Sequence, residues 1–93
     1  MYFDGMRITW DEQKNEWLRN QRNISFEVVC EMIESGQILD VLENPGSKYP
    51  HQGVFVLSID DYTWLVPFFD TGNEIKLITA YPSRKAHKKY GVS

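Results

Sequence analysis

Apolar positions along the chain fall into two regimes. Up to Gly36 they recur at helical spacing, and beyond it they alternate or run together as strands do. Phe26, Val29, Cys30 and Ile33 stand at offsets 0, 3, 4 and 7, which is one face of an α-helix. Ser25 supplies an N-cap hydroxyl in front of them, and Gly36 stops the helix behind them. Ile24 and Val29 flank that cap in the positions of a hydrophobic staple. Further upstream, MRITW at 6–10 reads as a short strand, followed by Asp11 with N-cap chemistry. Glu12 in the first turn and Arg19 and Arg22 in the last complement the dipole of a helix over 12–22. Its apolar content is chiefly Trp17 and Leu18, so much of this helix should face water. Asn23 suits a left-handed C-cap.

From residue 37 the pattern predicts strands at 38–43, 53–59, 62–69 and 74–81. A Pro- and Gly-containing loop is expected over 44–52, a tight turn at Asp60-Asp61 and a second turn over 70–73. Pro67 lacks an amide donor and belongs at a bulge or on an edge-facing side of its strand. Pro82 ends the last strand, and Ser83 caps a final helix over 84–90. Strands in succession with short connections predict an antiparallel meander. The expected fold class is therefore α+β, a single two-layer domain over 1–93, with an N-terminal strand and two helices packed on the meander and a short C-terminal helix. The 62–69 strand is apolar on both faces, so its second face should be covered by the C-terminal helix or by a partner.

Composition agrees with one folded domain: 93 residues, 42% hydrophobic, with three Trp, five Tyr and five Phe. Cys30 is the only cysteine, so no internal disulfide can form, which suits a reducing compartment. The N-terminus lacks signal-peptide character, and no apolar run reaches the roughly 18–20 residues of a membrane span. These features predict a cytoplasmic protein with no membrane association. The net charge of −3 is unevenly spread. Residues 25–75 carry nine acids against Lys48 alone, whereas 76–93 carry five cations and no acid. A local patch, not the total, decides whether phosphate can bind.

The densest cationic cluster is Arg84, Lys85, His87, Lys88 and Lys89, in which Arg84/Lys88 and Lys85/Lys89 are i, i+4 neighbours. Its bland reading is a solvated helix end, and its place just after a strand end points instead toward a phosphate site. A second group, Lys14, Arg19 and Arg22, joins it only if the first helix packs across the same end of the sheet. His51 and His87 lack a carboxylate at a telling spacing, and each reads as a histidine without a catalytic role. Tyr81 and Tyr90 flank the basic run and could stack on a base, though packing on the sheet is the simpler role. Cys30 reads as core. One Cys and two His at unrelated spacings do not make a metal site, and no nucleotide or hydrolase motif is present, so no cofactor is expected.

The stretch ITWDEQKNEWLRNQRNISFE, residues 8–27, resembles the N-terminal signature of BrnT-family toxins. Trp10, Asp11, Lys14, Ser25 and Phe26 sit at that family's spacing. The chain's end is similar too: a strand with Lys76, then Arg84-Lys85-Ala86, then Tyr90. The resemblance implies a RelE-like fold and a metal-independent ribonuclease of a type II toxin–antitoxin system, which arrests translation and growth. It implies RNA as substrate and a ribbon-helix-helix antitoxin as partner, with operator DNA reached only through that antitoxin. It also implies a site built from Lys14, Arg22, Lys76, Arg84 and Lys85 around the phosphate, with Tyr90 positioning or stacking. Glu74 and His87 both remain open for the proton-transfer role.

The chain departs from the family pattern at Gln21-Arg22, where Lys-His is usual, at Lys76, where Arg is usual, and through an insertion at Tyr81-Pro82-Ser83. These departures keep a second reading open, a non-catalytic module that binds nucleic acid or protein on the same fold.

Overall fold

The computed structural model describes residues 1–43 and 51–91. Its elements are β1 (Tyr2–Phe3), β2 (Met6–Trp10), α1 (Glu12–Arg22), α2 (Phe26–Glu34), β3 (Asp40–Glu43), β4 (Gln52–Ile59), β5 (Tyr62–Asp70), β6 (Glu74–Leu77), β7 (Tyr81–Pro82) and α3 (Arg84–Tyr90). The fold is α+β. The sheet runs β1-β2-β6-β5-β4-β3, with β7 also pairing to β5.

The local signals act as expected at the helices. Asp11 accepts from the amides of Gln13 at 2.8 Å and Lys14 at 3.3 Å, Ser25 caps α2 and Ser83 caps α3. Asn23 ends α1 in the left-handed region at φ 53°. Asp60 and Asp61, with φ of 51° and 61°, form the tight turn between β4 and β5. The loop expected over 44–52 lies mostly outside the described residues, although Gln52 already belongs to β4.

Three features of the sheet differ from expectation. First, the meander is not wholly antiparallel. β2 enters beside β6 in parallel, with Thr9 opposite Lys76 and Trp10 opposite Leu77. The intervening helices carry the chain across a face of the sheet, which allows a parallel neighbour. Second, Asp4 and Gly5, both at positive φ, turn the chain so that β1 pairs with β2 as an extra hairpin strand. Third, the strand expected over 74–81 is broken.

The break is a bulge. Leu77 pairs with Phe68 and Tyr81 with Leu65, so Ile78, Thr79 and Ala80 oppose only Val66 and Pro67. The Ile78 amide donates to the Pro67 carbonyl at 2.9 Å. A residue's N–H and C=O point to the same side of a strand, so the missing donor of Pro67 faces this irregular stretch and leaves no ladder acceptor stranded.

The core lies between the α1–α2 pair and one sheet face. Leu18, Phe26, Val29 and Cys30 pack with Phe55, Leu57, Val66 and Leu77, each at most 1% exposed. Gly53 permits close packing here, because a Cβ on it would overlap the Phe68 ring. α3 covers part of the opposite face, so the two-layer expectation gives way to helices on both sides. The Thr63 amide and hydroxyl lie 3.3 and 3.1 Å from His87 Nδ1, and the His87 ring stacks on Tyr62 at 4.2 Å. His87 is thus a packing residue that ties α3 to β5.

Among the described residues Asn15 is the one fully buried amide side chain, and it joins the two long helices. Its Oδ1 accepts from the Phe26 amide at 2.8 Å, and its Nδ2 donates to Glu27 at 2.7 Å and Glu12 at 3.2 Å. Arg19 braces the same junction from outside, 2.8 Å from Glu27. The Asn15 hydrogen bond foremost, with help from Arg19, holds the Glu27 carboxyl below its ordinary 4.5.

Truncating Asn15→Ala leaves the buried Phe26 N–H without its partner and should lower unfolding stability by about 1–3 kcal/mol in urea titrations. Asn15→Asp should be worse, because it sets a third carboxylate against Glu12 and Glu27. Glu27 has a depressed folded value, so its contribution is complete above pH 4.5 and is lost as pH falls through that lower value. Acid titration of thermal stability should therefore be flatter in Glu27→Gln than in the parent.

Candidate nucleic-acid interface

The end of β2 delivers Asp11 and α1 to the edge where β6 gives way to the bulge. An open hollow of about 540 Å³ lies there. Asp11 and Lys14 line it from the start of α1, Phe69 from β5, and Lys76, Ile78 and Thr79 from β6 and the bulge. Thr9, Lys76 and Phe69 form one cross-strand row, so their side chains share the sheet face away from the main core.

Arg22 reaches this region from the other end of α1. Its Nη1 donates to the Ala80 carbonyl at 2.7 Å and lies 3.4 Å from the Thr79 hydroxyl. Trp17 stands between the two helix cations: Lys14 Nζ lies 3.9 Å and the Arg22 guanidinium 4.6 Å from its ring centre. The indole is 40% exposed, so cation–π contact holds both side chains along the helix surface while leaving them wet. Among the described residues, the ion pairs all belong to Arg19, and Lys14, Arg22 and Lys76 have no carboxylate within 4.0 Å.

The structure therefore brings Lys14, Arg22 and Lys76 together but gathers α3 elsewhere. Lys85 and Tyr90 line a separate crevice with Leu42 and Leu65. Arg84 is exposed in the first turn of α3 and lines neither hollow. The Tyr90 hydroxyl donates to Asp40 Oδ2 at 2.7 Å, fastening α3 to β3. This bond holds the Asp40 carboxyl below its ordinary 3.8 and raises the Tyr90 phenol above 10.

No protein-family model, no curated protein and no solved structure matches this chain.

Asp11 is the one carboxylate lining the first hollow. Its Oδ1 is engaged by the helix amides, and its second oxygen makes no hydrogen bond to a described residue. In the sequence Asp11 stands as a helix cap and as part of the stretch that resembles the BrnT signature, with no sign of a role as a base. Trp17 was also passed over, although its i, i+3 spacing from Lys14 announces the contact. Glu74 shares a β6 face with Lys76 but lies two residues away along the strand, and His87 is committed to Thr63. Burial pushes the Cys30 thiol up to about 12, which keeps it protonated and poorly nucleophilic. Among the described residues no group of His, Cys, Asp and Glu could hold a metal ion, and no helix is long and apolar enough to cross a membrane.

Tyr90→Phe removes the α3–β3 tie. The parent's thermal advantage over this variant should be full near neutral pH. It should fade in alkali as pH rises past 10 through the raised Tyr90 value, and in acid as pH falls below 3.8 through the lowered Asp40 value.

Proposed function

We propose that this chain is a ribonuclease toxin of the BrnT kind, with a RelE-like variant of the α+β fold, and that RNA lies across the hollow between α1 and β6. The convergence of Lys14, Arg22 and Lys76 carries the reading. Three cations without carboxylate partners, beside the partly exposed Trp17 and Phe69, suit a phosphodiester with its neighbouring bases.

In this reading the free oxygen of Asp11 accepts the proton of the ribose 2′-OH. The 2′-oxygen attacks phosphorus, the P–O5′ bond breaks, and the Lys76 ammonium supplies a proton to the departing 5′-oxygen. The products are a 2′,3′-cyclic phosphate and a 5′-hydroxyl. Lys14 and Arg22 stabilise the phosphorane charge as it develops. A ribbon-helix-helix antitoxin would neutralise the activity, as the resemblance implies.

One observation favours the non-catalytic alternative. Arg22 is already engaged by the Ala80 carbonyl and Trp17, so part of its charge serves the fold.

Asp11→Asn separates the two readings, because asparagine caps a helix about as well as aspartate but is no base. With RNA in metal-free, low-salt buffer, the parent should generate cyclic-phosphate ends. Asp11→Asn should bind RNA and lose roughly two or more orders of magnitude in cleavage rate. Lys76→Ala should lose both affinity and rate. Cleavage unchanged in Asp11→Asn rejects Asp11 as the base, and tight binding without cleavage by the parent leaves the binding module.

A further inference from the structure

We infer that the crevice under α3, together with the free edge of β3, docks an extended acidic peptide segment that carries a large apolar side chain. This surface is separate from the RNA hollow, and the inference does not depend on the RNA reading.

The crevice holds about 190 Å³. Small-molecule sites usually hold roughly 300–1,000 Å³, so it is scaled to a side chain and not to a cofactor. Its floor is Leu42, Leu65 and Ala86, and its rim carries Lys85 and Lys89. The two lysines are i, i+4 neighbours on α3 and share one helix face. Leu42 remains 36% exposed, an apolar side chain on a strand whose outer edge pairs with no strand among the described residues.

Side-chain alternation points the chemistry the same way. Asp40 meets Tyr90 of α3 and Leu42 lies in the crevice, so these alternate positions of β3 face α3. A strand added beyond β3 would turn every second side chain toward that same space. Its backbone would pair with the free edge, one apolar side chain would enter the crevice, and flanking carboxylates would meet Lys85 and Lys89.

Charge selects the occupant. Residues 84–91 carry four Lys or Arg and no acid. A second copy fits badly, because an antiparallel β3–β3 pair would set the two α3 segments, each with Lys85 and Lys89, on one face of the joined sheet. RNA could supply phosphates to the lysines but offers neither a strand edge nor an aliphatic side chain.

The test uses a fluorescein-labelled peptide of about ten residues that alternates aspartate or glutamate with leucine and phenylalanine, read by fluorescence anisotropy. Binding should weaken with salt. It should fall about tenfold or more in Lys85→Glu/Lys89→Glu, where attraction becomes repulsion, and should be unchanged in Lys76→Ala. Leu42→Asp should also weaken it, and because Leu42 is partly exposed this variant should fold, as circular dichroism would verify. Three results would overturn the inference: no binding by the folded parent, equal binding of an acidic peptide without apolar residues, or equal loss in Lys76→Ala. An RNA oligonucleotide losing affinity in Lys85→Glu/Lys89→Glu as much as in Lys76→Ala would instead assign α3 to the nucleic-acid surface.

Discussion

The arrangement rests on one buried amide. Asn15 sits at 0% exposure on a helix that is otherwise mostly wet. Its oxygen satisfies the first amide of α2, and its nitrogen holds two carboxylates. A helix with so few apolar side chains cannot be fixed in place by burial alone, since a narrow apolar stripe leaves rotation and translation poorly determined. Directional bonds remove that freedom. They lock α1 to α2, α2 is locked to the sheet by its apolar face, and α1 thereby acquires a defined position beside β6. A buried network of this kind confers uniqueness more than raw stability.

The second constraint is the mismatch between β5 and its neighbour. Three residues stand where regular pairing would place two, so the ladder breaks at Ile78–Ala80. A continuous strand would have kept Thr79 and Ala80 in the ladder. The broken one releases the Ala80 carbonyl to accept from Arg22 and opens the hollow where Lys14 and Lys76 meet. Pro67, a residue that central strands ordinarily exclude, is what makes the irregularity inexpensive. The packing defect and the convergence of charge thus have a common origin.

The helices were legible because their signals are local. Caps at Asp11, Ser25 and Ser83, the left-handed Asn23 and the apolar face of α2 act within a few residues. The α+β class followed from the order of periods. The parallel entry of β2 beside β6 was not legible, because it depends on which strand edge remains free once α1 and α2 have packed. The bulge was half legible: Pro67 called for a bulge or an edge, but nothing local says that its partner strand, not its own, takes up the extra residue. For the candidate site, Lys14, Arg22 and Lys76 do converge. Lys85 and Tyr90 share a sheet face with Lys76 but lie apart from it across the strands, over Leu42 and Leu65 of β3 and β5, and sequence spacing carries no record of that. Asp11 and Asn15 were hidden for a related reason. A residue with an adequate local explanation, a cap or a polar position on a wet helix, gives no hint of a second, tertiary one.

The parallel pairing of β2 with β6 also governs when the molecule can come into being. Thr9 lies against Lys76, far from it along the sequence, and such distant partners must meet at the cost of closing a long loop. During synthesis β2 has only the two-residue β1 beside it until β6 has been made. The late strand β6 therefore joins β2 to the rest of the sheet, and folding should be slow for a domain of this size. A chain interrupted before β6 holds α1, α2, the β1–β2 hairpin and the antiparallel β3–β4–β5 strands but has neither a completed sheet nor the cationic hollow, so it cannot present the surface that β6 completes.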